Sequence, residues 1–258
     1  MVFNDTTLVV VGDSFVYGHL EDDLNAESCH NRSWVRQLEK EGNFKTSVNL
    51  GAPGGSNYRS VRVLYEYLEQ EYSHNEKYLV IFAASELSRF ELPIDHNLGK
   101  TFNMLPENPL YYDTIHTEII AGGIGPWCLD FTNHKFSDFV RMHYESFNDA
   151  IFSEKILRNS LFSLKAVLDD LNIESFFTST ILHPMVLPKM SLLGKKLPVI
   201  RYLHRFPEAK IDHMQDIGMS DLLLNSGFKE YSCKHFDEHA YKFLAEYILE
   251  QINTIKGN

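Results

Sequence analysis

The stretch "VVVGDSFVYGH", residues 9–19, places an apolar run directly before a glycine, an acid and a serine. A short apolar run that ends in turn-forming residues is typical of a strand covered on both faces, as in a parallel sheet. Two interpretations of the polar pair follow. Ser14 is a nucleophile presented at the end of a buried strand, or Asp13 and Ser14 form an ordinary helix N-cap, a position that both residue types favour.

Strand and helix patterns alternate outward from this stretch. The sequence predicts an amphipathic helix from Ser33 to a glycine stop, a strand at "KTSVNLG", a helix at "YRSVRVLYEYLEQEY" and a strand at "KYLVIFAAS". This β-α-β-α-β order predicts a parallel sheet with right-handed crossovers. A long helical region at about 139–171, a fourth strand at "SFFTSTIL" and a closing helix at "EHAYKFLAEYILEQI" follow, and no fifth strand is evident.

The chain is predicted to fold as one domain, residues 1–258, because this length with 44% hydrophobic side chains is enough for one large core. Residues from about 92 to 138 break the alternation with aromatic and turn-forming residues, and the segment is too long for an ordinary loop. We therefore expect an insertion after the third strand.

The charge balance limits the classes of partner. The chain has 24 basic and 35 acidic residues, a formal net charge of −11, which repels phosphate backbones and anionic lipids. We expect no nucleic-acid partner and no membrane partner. The first residues lack the basic region of a signal peptide, and no stretch approaches the ~20 apolar residues of a membrane span. A cytoplasmic location is therefore expected.

The cysteines indicate neither cross-linking nor metal binding. Cys29, Cys128 and Cys233 are odd in number and widely spaced, which matches neither a disulfide framework nor a zinc site. We expect reduced thiols and no metal ligands among them.

Polar or glycine-rich clusters end the predicted strands. The first strand ends in "GDS", the second in "NLGAPGGSN" and the third in "AASELSRFE", and "YSCKHFDEH" stands just before the last helix. Ligands of open parallel sheets bind beyond the carboxyl ends of the strands. The clusters are therefore predicted to converge on one edge of the sheet.

These clusters resemble the sequence blocks of the SGNH (GDSL-type) hydrolases. Residues 12–14 match the first block, with Gly18 four residues after the serine, and residues 49–54 fit the N-x-G-x-x-G form of the second block. His235, shortly before the closing helix, matches the family's final histidine. The spellings "GDSFVYG", "PGGSN" and "SRFE" are also similar to members encoded by tailed bacteriophages, which implies a location in the host cytoplasm or the virion.

The resemblance implies a three-layer α/β/α fold around a mostly parallel, flavodoxin-like sheet, and an esterase site. Ser14 would attack an acyl carbonyl and His235 would accept its proton. The backbone N–H groups of Ser14 and Gly54 would bind the oxyanion, with the Ser85 hydroxyl as a third donor. Such a site needs no metal and no cofactor. The implied partner is a small-molecule or carbohydrate ester, for example an O-acetylated sugar, and the oligomeric state stays open.

Two positions depart from the family pattern. The third block, G-x-N-D, has Ala83 in place of the glycine and Ser85 in place of the asparagine, whose side chain reaches further. Ser232 stands three residues before His235, where the family has an aspartate that orients the histidine. We expect a dyad oriented by Ser232 or a backbone carbonyl, a carboxylate supplied by Asp237, or a binding module that has lost efficient catalysis. The dyad ranks above Asp237, because this carboxylate is predicted to face the start of the closing helix.

Other interpretations remain open for single residues. Gly51, Gly54 and Gly55 also suit an ordinary strand-to-helix turn, because Pro-Gly-Gly is good turn chemistry. His239 competes with His235 for the place of the final histidine, although it is predicted to lie in the first turn of the closing helix. A dinucleotide-binding site is disfavoured, because "GDSFVYG" lacks the G-x-G-x-x-G spacing.

Overall fold

The computed structural model describes most of the chain. The described residues are 3–19, 26–95, 112–115, 118–124, 134–146, 150–180, 191–192, 194–205, 214–231 and 235–257. The strands are β1 (Thr6–Val11), β2 (Thr46–Asn49), β3 (Lys77–Ala84), β4 (Phe90–Asp95), β5 (Tyr112–Ile115), β6 (Glu118–Ile124), β7 (Glu174–Ser179), β8 (Ser191–Leu192), β9 (Lys195–Lys196), β10 (Tyr202–Arg205) and β11 (Met214–Ile217). The helices are α1 (Ser14–Tyr17), α2 (Ala26–Arg32), α3 (Trp34–Glu41), α4 (Asn57–Glu71), α5 (His134–Ser146), α6 (Ala150–Asp170), α7 (Met219–Asn225) and α8 (Glu238–Gly257).

A parallel sheet in the order β2-β1-β3-β7 is the centre of the fold. In sequence these are the first, second, third and fourth strands predicted, so the order 2-1-3-4 is that of a flavodoxin-like doubly wound sheet. Every residue of β1 is buried, as its continuous apolar run predicts. The predicted α/β fold with a mostly parallel central sheet is confirmed.

Helices cover both faces of this sheet. Against one face pack α3 and α8, which contribute Trp34, Leu38, Leu244 and Ile248 to one buried cluster. Against the other face pack α4 and α6, whose leucines, with Leu64 among them, form a second cluster. The sheet therefore separates two apolar cores. The layers bury β1 and most of β3 and β7, whereas the edge strand β2 is partly exposed.

Local signals explain the helix ends that lie near the sheet edge. The Ser33 hydroxyl accepts a hydrogen bond from the Arg36 N–H, so that Ser33 caps α3, and Gly42 follows its last residue. The Ser56 hydroxyl caps α4 in the same way. Both ends of α3 agree with the predicted ones, whereas the cap at Ser56 was not predicted. The long helical region predicted at about 139–171 is instead divided between two helices, α5 and α6.

The segment after β3 contributes to a second sheet. Strands β4, β6 and β5 pair antiparallel in that order, outside the parallel sheet. Much of the predicted insertion at 92–138 lies outside the described residues, so its limits and the single-domain organisation stay predictions. Among the described helices, none is long and apolar enough to cross a membrane. Cys29 is buried, and Cys128 and Cys233 lie outside the described residues.

Candidate active site

The end of β1 leads directly into the short helix α1. Asp13 has an extended backbone, and its Oδ1 accepts a hydrogen bond from the Phe15 N–H at 3.0 Å. Asp13 is therefore the N-cap, and Ser14 is the first helical residue. The helix ends at Gly18, whose φ of +83° lies in the left-handed region that favours glycine. The N-cap interpretation of this pair is thus correct for Asp13, and it leaves the Ser14 side chain without a capping role.

Ser14 is buried at 6% exposure, at the carboxyl end of the sheet. Within the described part of the chain, its hydroxyl has no hydrogen-bond partner, and its backbone N–H donates to no acceptor. The first N–H groups of a helix have no partner inside the helix, so this N–H depends on a ligand or water. The hydroxyl and the N–H of Ser14 therefore remain available for a bound molecule.

The second block packs tightly against α1. Asn49, at the end of β2, donates from Nδ2 to the Val16 carbonyl at 2.7 Å and accepts the Gly51 N–H at Oδ1 at 3.0 Å. A Cβ on Gly51 would lie 2.5 Å from the Tyr17 nitrogen, so only glycine allows this approach. The asparagine and glycine of the N-x-G-x-x-G block therefore hold the loop against the helix that begins at Ser14.

The rest of this loop reaches the strand end itself. The Ala52 N–H donates to the Gly12 carbonyl at 3.3 Å, and the Gly55 N–H donates to the Ala52 carbonyl at 3.0 Å. Gly54, between them, has a φ of +69°. Its own N–H has no acceptor among the described residues. The turn interpretation is therefore correct for this loop, and the turn leaves one N–H unused close to the end of β1.

A buried carboxylate joins the ends of three strands. Asp13 is fully buried, and its Oδ2 accepts hydrogen bonds from Thr180 Oγ1 at 2.7 Å, Ser85 Oγ at 3.0 Å and Arg89 Nη1 at 3.1 Å. Arg89 is itself only 6% exposed. A buried charge is tolerated when it is paired and hydrogen-bonded, and both conditions hold for this pair. Asp13 follows β1, Ser85 and Arg89 follow β3, and Thr180 follows β7, so the network ties these strand ends together.

The structure does not fit the predicted role of Ser85 as an oxyanion donor. A serine hydroxyl has one proton, and that of Ser85 is donated to Asp13. Asn57 holds the Ser85 backbone on both sides, accepting its N–H at 2.8 Å and donating to its carbonyl at 3.0 Å. Ser85 is fully buried. It therefore supports Asp13 instead of pointing a free hydroxyl at a ligand.

The role of Arg89 was not predicted from the sequence. The signal was present as an arginine in "AASELSRFE", shortly after the apolar run of β3. Asp13 lies two residues after the apolar run of β1, and such an acid needs a countercharge if it is buried. The pairing of these two residues is recognisable only when β1 and β3 are known to be neighbours.

His235 lies beside α1. Its ring is stacked on that of His19 at a centroid distance of 4.6 Å and an interplanar angle of 17°, and it lies 5.3 Å from the ring of Phe15. His235 is 8% exposed. Partial burial lowers the pKa of His19 below its ordinary value. The structure thus brings the predicted final histidine to the helix whose first residue is Ser14.

The two predicted orienting groups for His235 have different outcomes. Ser232 lies outside the described residues, so its role stays a prediction. Asp237 Oδ1 accepts the Ala240 N–H at 2.9 Å, which caps α8 and confirms that this carboxylate faces the helix start. That bond occupies one oxygen of the alternative carboxylate. His239 is exposed in the first turn of α8, as predicted.

Comparisons with known proteins find little at the level of sequence. No family profile matches the chain, and no curated protein matches it. Among solved structures, the chain is similar to the psychrotrophic esterase EstA from Pseudoalteromonas sp., in a crystal structure inhibited by monoethylphosphonate. The TM-score is 0.46 at 11% sequence identity, and the superposition covers 98% of this chain and 99% of that chain.

Proposed function

We propose that the protein is a serine ester hydrolase of the SGNH type, with Ser14 as nucleophile and His235 as general base. One observation carries the proposal: the His235 ring packs on α1, whose first residue is a buried serine with a hydroxyl that has no hydrogen-bond partner in the described part of the chain. A serine hydroxyl near an imidazole is the pair that nucleophilic catalysis needs, because the hydroxyl is a poor nucleophile until a base takes its proton.

The reaction would proceed in two steps. Ser14 Oγ attacks the ester carbonyl while His235 accepts the hydroxyl proton, and the tetrahedral intermediate collapses as His235 returns that proton to the leaving alcohol. An acyl ester on Ser14 remains. Water then attacks this ester, His235 accepts a proton from the water, and the proton is returned to Ser14 as the carboxylic acid leaves.

Two backbone groups are the proposed oxyanion hole. The N–H groups of Ser14 and Gly54 have no acceptor among the described residues, and the loop contacts keep them at one strand end. Ser85 is not part of this proposal, because its proton is bound by Asp13. Since one lost oxyanion donor costs roughly 10²–10³ in rate in other serine hydrolases, we expect turnover below that of a site with three donors.

The proposed substrate is a small acyl ester, with O-acetylated carbohydrates as the class to test first. The net charge of −11 disfavours polyanionic substrates and favours neutral ones. A second candidate function is a binding module without efficient catalysis. It is favoured by the positions of Ser85 and Asp237, whose polar groups bind Asp13 and the start of α8.

Hydrolysis of short-chain aryl esters and acetylated sugars, together with labelling by a fluorophosphonate, tests the proposal. We expect Ser14→Ala and His235→Ala to lower kcat/KM by about 10³-fold or more, and the double variant to lose little beyond either single one, because nucleophile and base act as a unit. Ser60→Ala is the matched control, since Ser60 is also buried but its hydroxyl donates to the Ser56 carbonyl.

Wild-type kcat/KM in Ser14→Ala would contradict the assignment of the nucleophile. A wild-type protein that neither hydrolyses esters nor reacts with the phosphonate at Ser14, as read by peptide mass spectrometry, would favour the binding module.

A further inference from the structure

We propose that His19 is a positioning residue for His235: its stacked ring holds the imidazole in the orientation that proton transfer from Ser14 requires. This inference rests on the proposed function. In a full triad an aspartate fixes the histidine by a hydrogen bond. In this chain Ser232 occupies the position of the family's aspartate, and the ring of His19 stacks on the ring of His235.

The backbone of His19 is anchored at both of its polar groups. Its N–H donates to the Ser14 carbonyl at 3.1 Å, and its carbonyl accepts the Tyr241 hydroxyl at 3.2 Å. Tyr241 is a fully buried residue of α8. The same bonds therefore connect the candidate nucleophile, His19 and the helix that follows His235.

The ring geometry restricts how the His235 imidazole can turn. The two imidazoles are nearly parallel, at 17°, with centroids 4.6 Å apart, and Phe15 contacts the His235 ring at a tilt of 43°. The χ2 torsion of histidine is broad, so contacts with the faces of the ring contribute to fixing its plane. Rotation of the His235 ring out of its present plane would break the stack with His19, so the stack reduces the range of orientations open to this ring.

The stack also suits the charge that develops during catalysis. Partial burial lowers the pKa of His19, so its ring is neutral at neutral pH and presents a π-face to His235. The face of an aromatic ring is electronegative and attracts a cation. An imidazolium formed on His235 is therefore placed against ring faces instead of a second positive charge.

Three variants of His19 distinguish the role of its stacked ring from the role of its ring N–H group. On a short-chain aryl ester we expect His19→Ala and His19→Gln to lower kcat by about 10- to 100-fold with KM nearly unchanged, since a small misplacement of a catalytic group costs up to about 10²-fold. His19→Phe keeps a stacking ring and should retain most of kcat. His239→Ala, at an exposed histidine of α8, is the control. The rate of Ser14 labelling by a fluorophosphonate should follow the same order, and thermal unfolding reports whether each variant folds.

Several results would overturn this role. Wild-type kcat in His19→Ala, with Ser14→Ala inactive, removes the positioning role and leaves the proposed hydrolase function intact. An equal loss of kcat in folded His19→Ala and His19→Phe shows that a ring N–H matters and the stack does not. If His19→Ala fails to fold, the comparison of His19→Gln with His19→Phe decides the question. A wild-type protein inert to esters and phosphonate overturns the proposed function, and this inference with it.

Discussion

Asp13 performs two structural tasks with one carboxylate. Oδ1 caps α1 through the Phe15 N–H, which sets the direction of the chain at Ser14. Oδ2 accepts three further hydrogen bonds, from Thr180, Ser85 and Arg89. Because a carboxylate can accept about four hydrogen bonds, this one is fully satisfied. The orientation of Ser14 therefore depends on side chains from two other strand ends.

The buried charge pair predicts a specific pattern of stability. Arg89→Met leaves the Asp13 carboxylate buried without its countercharge, and we expect the free energy of unfolding to fall by about 3–5 kcal/mol. The double variant Asp13→Asn with Arg89→Met should regain part of this loss, because no buried charge is then unpaired. Urea unfolding measures both values.

The exposed Lys45–Glu76 pair supplies a control for this prediction. Lys45→Met should leave the free energy of unfolding nearly unchanged, since exposed ion pairs contribute little. An Arg89→Met protein as stable as the wild type would mean that the pair is less important to the strand ends than its burial indicates.

Two loops of the fold contain glycines with a left-handed backbone, and one of these loops belongs to the candidate site. The β2–α4 loop needs a left-handed residue at Gly54, with φ of +69°, and so turns back towards the end of β1. Gly227, after α7, has a similar φ of +88°, and a Cβ there would meet no atom within 4 Å. The two glycines share a backbone requirement, but only Gly54 lies in the second block.

Replacing each of these glycines by alanine should therefore show which of them affects activity as well as stability. We expect Gly54→Ala and Gly227→Ala each to lower the free energy of unfolding by about 1–2 kcal/mol, the usual cost of a Cβ in the left-handed region. Only Gly54→Ala should lower kcat, by about tenfold or more, because the direction of its N–H changes. Equal kcat in the two variants, measured on the same ester, would exclude Gly54 from the oxyanion hole.

The helices on both faces of the sheet predict one cooperative fold. Leu244 of α8 and Leu161 of α6 are fully buried on opposite faces of the same four parallel strands. Leu244→Ala and Leu161→Ala should each destabilise the protein by about 2–5 kcal/mol. Since both helices pack on one sheet, each variant should shift a single transition, with coincident curves from circular dichroism and tryptophan fluorescence. Separate transitions would show that the two layers unfold independently.

Local sequence patterns were sufficient to predict the elements that build the sheet and their order along the chain. The apolar runs of β1 and β3 and the serine cap of α3 are signals within a few residues, and each appears in the structure as predicted. The same kind of signal placed Asp237 at the start of α8. These features could be predicted because a strand run or a cap depends on its immediate neighbours in the chain.

Only the tertiary structure decided which side chains meet at the strand ends. The Asp13 carboxylate binds partners 72, 76 and 167 residues away, and these bonds turned Ser85 from an expected oxyanion donor into a support for Asp13. The stack of His19 on His235 likewise joins distant parts of the chain. No local pattern specifies such contacts. They form because the sheet order places a buried charge and a ring beside the groups that can satisfy them.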